Sequence, residues 1–148
     1  MSLPQPPALA KAGGLILAPL EFPPLRVLIV DDNADAADSL ATLLGMVGFV
    51  TRVCYDAESA WASVETFRPE ACVLDVSMPG TDGCELARSL RAREGGREML
   101  LVAVTALGGD AARERTAGAG FDLHLTKPAD PQQLADALFA FERKLRVN

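Results

Sequence analysis

Five side chains of complementary chemistry stand at the ends of four apolar runs: Asp31 and Asp32 after RVLIV, Asp75 after ACVL, Thr105 after MLLVAV, and Lys127 after LHLT. Parallel strands of an α/β sheet all end on one edge, so these side chains can converge in a single cleft. The cleft then holds three carboxylates, one hydroxyl and one ammonium. Crowded carboxylates repel one another unless a cation sits among them, which makes a divalent metal the natural completion. Mg²⁺ suits the task, being hard, octahedral and content with a few protein oxygens beside its waters. Asp32, Asp75 and the Ser77 carbonyl would coordinate it directly, and Asp31 directly or through water.

A carboxylate is a weak nucleophile, but it can attack a phosphoryl group when the charge on the transferring oxygens is neutralised. Asp75 would be that nucleophile. Lys127 would place its ammonium on one phosphoryl oxygen and Thr105 its hydroxyl on another, while the small Ala106 leaves room. Each residue also has a plainer use. Asp31, Asp32 or Asn33 could cap a helix, Thr105 could be a strand-end hydroxyl, and Lys127 a solvated loop cation. It is their joint occurrence at four strand ends that argues for a site.

The elements that must position them are legible from Arg26 onward. RVLIV has the unbroken apolar character of a strand covered on both faces. Ala36, Leu40, Leu43, Leu44 and Val47 then recur at helical spacing, with Gly48 as a stop. VTRVC is shorter and more polar, as an edge strand would be. Asp56 caps the next helix, whose Ala60, Trp61, Val64 and Phe67 share a face that predicts a core Trp61. ACVLDV is the third strand, followed by the SMPGTDG turn and a helix from Cys84 to about Arg93 with Leu86, Ala87 and Leu90 inward. MLLVAVT, the most apolar strand, is expected to be the most central or best covered. LGGDAARERTAGAG gives a Gly-rich helix of low intrinsic stability. LHL is a short fifth strand before Lys127-Pro128. In the last helix Asp130 and Gln133 form a capping box around Pro131, and Leu134, Leu138, Phe141 and Leu145 line one face. Five βα units without an internal hairpin give an open, doubly wound parallel α/β sheet.

With 148 residues, 49% of them apolar and 23% charged, the chain has the composition of one globular domain. Its net charge of −6 argues against direct nucleic-acid binding or an anionic membrane as partner. Arg88, Arg91, Arg93 and Arg97 are interleaved with Glu85, Glu94 and Glu98, the pattern of a solvated helix face. Three cysteines without metal-ligand spacing fit a reducing compartment. Cys72 is expected to be a small buried hydrophobe, and Cys54 and Cys84 carry no chemistry. No apolar stretch reaches the length of a membrane span and the N-terminus lacks a basic signal start, so the expected location is cytoplasmic. Residues 1–24 hold six of the ten prolines and only one short apolar patch, Leu15 to Ala18, and are expected to be a tail or linker. The alternative for this stretch is a peptide that docks on a partner through Leu15, Ile16 and Leu17.

At these residues the sequence closely resembles the response-regulator receiver domains of two-component signalling. LIVDDNADAADSLATLL, VLDVSMPGTDG, VTA and GFDLHLTKPAD follow that family's pattern in order and spacing. The resemblance covers Leu25 to Arg146, giving a domain at 25–146. It implies a five-stranded (βα)5 sheet of flavodoxin-like order 2-1-3-4-5, with Asp75 as phosphoacceptor, Asp31 and Asp32 on Mg²⁺, Thr105 as switch hydroxyl and Lys127 on the phosphoryl group. It further implies a phosphohistidine donor on a histidine kinase or histidine phosphotransfer domain, and a cis Lys127-Pro128 peptide. A downstream protein would be engaged through the face of the fourth helix, fifth strand and last helix. Such a protein assists its own phosphorylation and dephosphorylation without being a conventional enzyme; kinase activity would belong to it only as a fragment of a hybrid histidine kinase.

One residue departs from the pattern. Three residues before the lysine, where the family has a rotating Tyr or Phe, this chain has His124, either a second switch residue or a partly exposed strand histidine without a role. The rival readings are a haloacid-dehalogenase-like phosphohydrolase, a flavodoxin-like electron carrier, and a degenerate receiver that only binds partners. The first wants a second Asp two residues after the nucleophile, where Ser77 stands. The second wants a phosphate-binding loop where this chain has DDNAD. The third does not account for five site residues.

Overall fold

A computed structural model of the chain describes residues 10–12, 15–17, 23–93 and 98–147. Five strands, β1 (Arg26–Val30), β2 (Val50–Cys54), β3 (Ala71–Asp75), β4 (Leu100–Thr105) and β5 (Leu123–Thr126), form one parallel sheet in the order β2-β1-β3-β4-β5. Helices α1 (Ala34–Met46), α2 (Ala57–Phe67), α3 (Gly83–Arg93), α4 (Asp110–Ala119) and α5 (Pro131–Val147) alternate with them. Alternate strand residues feed two cores. Val27, Ile29, Val73 and Val102 pack with Leu44 of α1 and Leu134 and Leu138 of α5. Leu28, Leu74 and Leu101 pack on the other face with Val64 of α2 and Leu86 and Leu90 of α3. Each fully buried Leu or Val contributes roughly 1.5–3 kcal/mol, so the strand ends rise directly from the buried core.

The sheet centre is β3, buried at all five positions, whereas MLLVAVT lies one strand toward the edge. Its apolar content reports coverage on both faces, which β4 also has, and does not fix lateral order. Trp61 is likewise not core: it is 39% exposed and lies under the Arg93 guanidinium, 4.9 Å from the ring centroid. Ala60 and Val64 carry the buried face of α2 instead. On α1 the inward stripe is Ala37 and Leu44 with Leu40 and Ala41 beside them, and Leu43 and Val47 face outward. In both helices apolar spacing located the element but not the rotation of its face.

Caps close the elements. Asn33 accepts from the Ala36 N–H at the start of α1, and Asp56 from the Ser59 N–H at the start of α2. Asp130 accepts from the Gln132 N–H at 2.9 Å rather than closing a box with Gln133. The first position of α4 is preceded by Gly109, which offers no side chain to its free N–H groups. Arg91 is no solvated face residue. It donates to the Gly120 carbonyl at 2.8 Å, to the Met99 carbonyl at 2.7 Å and to the Asp122 carboxylate at 2.6 Å, fastening α3 to the turns before β4 and β5. Arg97 and Glu94 lie outside the described residues.

Near the N-terminus Ala10–Ala12 pairs antiparallel with Leu15–Leu17, Ala10 opposite Leu17; the side chains on which a docking role would rest lie outside the described residues. No described helix is long and apolar enough to cross a membrane. Cys54, Cys72 and Cys84 are buried.

Candidate functional site

Register brings the first three carboxylates together. Val30 of β1 pairs with Leu74 of β3, so the next residues, Asp31 and Asp75, leave the sheet side by side. Asp32 follows on the turn. Ligand oxygens of Asp31, Asp32 and Asp75 all lie within 4.8 Å of one another, the one such grouping of three or more acidic, His or Cys side chains among the described residues. Asp31 and Asp75 are buried, Asp32 exposed. Since Asn33 caps α1, capping does not explain the two preceding aspartates.

The cation arrives from the other side of the sheet. The Lys127 N–H donates to the Thr105 carbonyl at 2.7 Å, and the cis Lys127-Pro128 peptide follows. The Lys127 ammonium stands 3.4 Å from a carboxylate oxygen of Asp31 and 3.4 Å from one of Asp75. Thr105 ends β4, 2% exposed, and its Oγ1 accepts from the Leu107 N–H at 3.1 Å. Ala106 beside it is exposed. Ser77 donates its N–H to Asp75 Oδ1 at 3.0 Å, orienting the carboxylate. All the residues singled out for phosphoryl chemistry therefore meet at one end of the sheet. A broad groove between Met99, Phe121 and Lys144 lies at the opposite end and shares none of them.

Electrostatics single out Asp75. Burial above all, with the Asp31 charge and the neighbouring Asp32 carboxyl, pushes its pKa up to about 6 against the opposing pull of the Ser77 N–H and Lys127. At Lys127 burial works against the ammonium, but the Asp31 and Asp75 carboxylates outweigh it and the pKa is raised. One ammonium cannot offset three carboxylates, and the oxygen donors are hard and close enough to share an ion, so the residues present fit Mg²⁺.

Two features, Gly83 and Thr116, and the surroundings of His124 escaped sequence reasoning. Gly83 lies so close to the end of β3 that a β-carbon there would meet the Asp75 carbonyl at 2.5 Å; its signal was the second glycine of PGTDG. Thr116 of α4 is buried, with its hydroxyl on the ring of His124. His124 itself is not a partly exposed strand histidine: it is 9% exposed, with Nδ1 2.9 Å from Thr116 Oγ1 and Nε2 3.1 Å from the Leu107 carbonyl.

Comparison with known proteins agrees with this arrangement. The family model described as response regulator receiver domain matches residues 27–139. The chain is 34% identical over 125 residues to the response regulator MprA of Mycobacterium ulcerans, covering 83% of this chain and 52% of that protein. It is 35% identical over 110 residues to a 14.6 kDa protein of Leptolyngbya boryana, covering 74% of this chain and 84% of that one. The chain thus spans about half the length of the MprA relatives it matches. Among solved structures, a Francisella response regulator receiver domain superposes with a TM-score of 0.76 at 25% identity, covering 82% of this chain and 98% of that one. A CheY-like receiver domain protein of Methanospirillum hungatei gives 0.71 at 25% identity, with the same coverage of both chains. In sequence and in fold, the chain belongs to the response regulator receiver domain family of two-component signalling.

Proposed function

We propose that Asp75 is the phosphoacceptor of a two-component relay and that residues 25–146 are the unit that carries it, with 1–24 as a tail or linker. The supporting observation is the placement of a buried carboxylate beside Asp31, Asp32 and the Lys127 ammonium at the ends of β1 and β3. The donor is a phosphohistidine on a histidine kinase or histidine phosphotransfer domain. An Asp75 oxygen attacks phosphorus, the P–N bond breaks, and its electron pair returns to the donor imidazole. Lys127 holds one phosphoryl oxygen by charge, and the Thr105 hydroxyl donates to another. Asp31, Asp32, Asp75 and the Ser77 carbonyl are the groups that would hold Mg²⁺, which supplies charge neutralisation to the transferring phosphoryl oxygens when bound. Burial of Asp75 keeps its carboxylate poorly hydrated, so less solvation is lost at the moment of attack.

The output is a changed surface rather than a released product. The face of α4, β5 and α5 engages a downstream protein, because α4 is the least well capped element beside the site and weakly held elements respond to small local events. Intact mass spectrometry with Mg²⁺ and a small acyl phosphate tests the reading. The wild type gains one phosphoryl group and Asp75→Asn gains none; uptake by Asp75→Asn at the wild-type rate refutes the assignment.

A further inference from the structure

We propose that His124 and Thr116 couple the state of Thr105 to helix α4 through a relay of hydrogen bonds. The proposal rests on the Asp75 reading and adds to it the path by which the site is read out. Three bonds make the path. The Leu107 N–H donates to Thr105 Oγ1 at 3.1 Å; the Leu107 carbonyl lies 3.1 Å from His124 Nε2; His124 Nδ1 lies 2.9 Å from Thr116 Oγ1.

Directions follow from donor inventory. A carbonyl only accepts, so Nε2 carries the ring proton and donates to Leu107. When the ring carries only that proton, Nδ1 is an acceptor and Thr116 is the donor to it. The Thr116 hydroxyl also has an alternative acceptor in the Arg113 carbonyl of its own helix, at 3.1 Å. With one proton to give, Thr116 can bond either the ring or its own helix. The tie between β5 and α4 is therefore a two-position contact.

The tie matters because the other side-chain holds on α4, Arg115 to Asp82 and Arg91 to the Gly120 carbonyl, run toward α3, whereas this one joins α4 to β5. Thr116 and Ala119 are its two buried residues, and its N-terminus has no side-chain cap. When Thr105 gives its hydroxyl proton to a phosphoryl oxygen on Asp75, its Oγ1 moves toward Asp75 and away from the Leu107 N–H. Leu107, freed at its N–H, shifts through its φ and ψ, and its carbonyl leaves Nε2. The ring then loses the bond that fixed its tautomer and orientation, Thr116 turns to Arg113, and α4 is released. A Phe ring in place of His124 offers no acceptor to Thr116 and no donor to Leu107, and a Tyr ring carries its one polar group at the tip, so bonding on both sides of the ring is a property of the imidazole.

The test uses the full chain, ¹⁵N-labelled histidine and amide hydrogen exchange across α4. Resting wild type should show the Nε2–H tautomer. On treatment with acyl phosphate and Mg²⁺, the ring signals should shift and α4 exchange should accelerate. Thr116→Val should gain the same phosphoryl mass as wild type, yet its α4 amides should already exchange about fivefold faster at rest, the equivalent of one net hydrogen bond, and change little on phosphorylation. Thr116→Ser should restore wild-type behaviour. His124→Phe, which keeps a ring and loses both bonds, should match Thr116→Val and replaces it if that variant does not fold. A resting Nδ1–H tautomer, or a wild-type α4 response in a phosphorylated Thr116→Val or His124→Phe chain, overturns the relay while leaving Asp75 as acceptor. No mass gain in the wild type overturns the acceptor reading itself and the relay with it.

Discussion

A β-carbon built on Gly83 would stand 2.5 Å from the Asp75 carbonyl oxygen and 2.8 Å from the Val76 α-carbon. The first turn of α3 thus rests directly on the end of β3, and the Gly83 N–H donates to the Val76 carbonyl at 3.0 Å. Both neighbours are backbone at the end of a strand buried throughout, so neither can step aside. Gly83→Ala should cost about 1–3 kcal/mol, the range for overpacking a tight interior, and should slow phosphoryl uptake by displacing Asp75. Urea denaturation and the mass assay read the two effects; unchanged stability contradicts the contact.

Mg²⁺ should raise the melting temperature of the wild type, since the carboxylates are gathered in the folded chain and dispersed in the unfolded one. At a hundred times the dissociation constant the gain is about 2.7 kcal/mol by mass action. Asp32 is exposed, so Asp32→Asn should leave the fold intact while removing one ligand. The shift at a fixed Mg²⁺ concentration should shrink in that variant. An equal shift in both proteins removes Asp32 from the metal site.

Arg91 holds two backbone carbonyls and one carboxylate. Arg91→Ala strands these acceptors and should destabilise the chain by about 2 kcal/mol or more. Arg91→Lys should recover little, because an ammonium lacks the fork that reaches several acceptors at once. Thermal denaturation of both variants checks this, and full rescue by lysine would falsify the geometric argument.

The site was more legible than the packing around it. Asp31, Asp32, Asp75, Thr105 and Lys127 could be found because their chemistry is written in residue type and the end of a parallel strand is a fixed place. Trp61 and Leu43 were misplaced because apolar spacing locates a helix but tolerates rotation by one residue, and the Arg93 guanidinium covers the Trp61 ring from outside the core. Arg91 looked like its solvated neighbours because its three acceptors come from turns 8 to 31 residues away, a distance no local pattern encodes. His124 was visible as an exception, but its partner Thr116 was not, since a threonine within a Gly-rich helix carries no sign of what it faces.

Asp75 should make the metal-free protein less stable as pH rises through the mildly acidic range. Its folded-state pKa is raised from 3.8 to about 6, chiefly by burial. Between those values the folded chain keeps a proton that the unfolded chain has released, so stability falls with increasing pH across this window and the loss is complete above it. Asp75→Asn removes the ionisation while keeping shape, and Lys127 retains Asp31 at 3.4 Å, so the ammonium is not left unpaired. In chelator, the variant should therefore melt higher than wild type at pH 7, and the two curves should converge near pH 4. Saturating Mg²⁺ should reverse the order at pH 7, because the wild type alone then gains the full ligand set. A constant difference between the two proteins from pH 4 to 7 without metal would show that the Asp75 carboxyl is not held protonated by its surroundings.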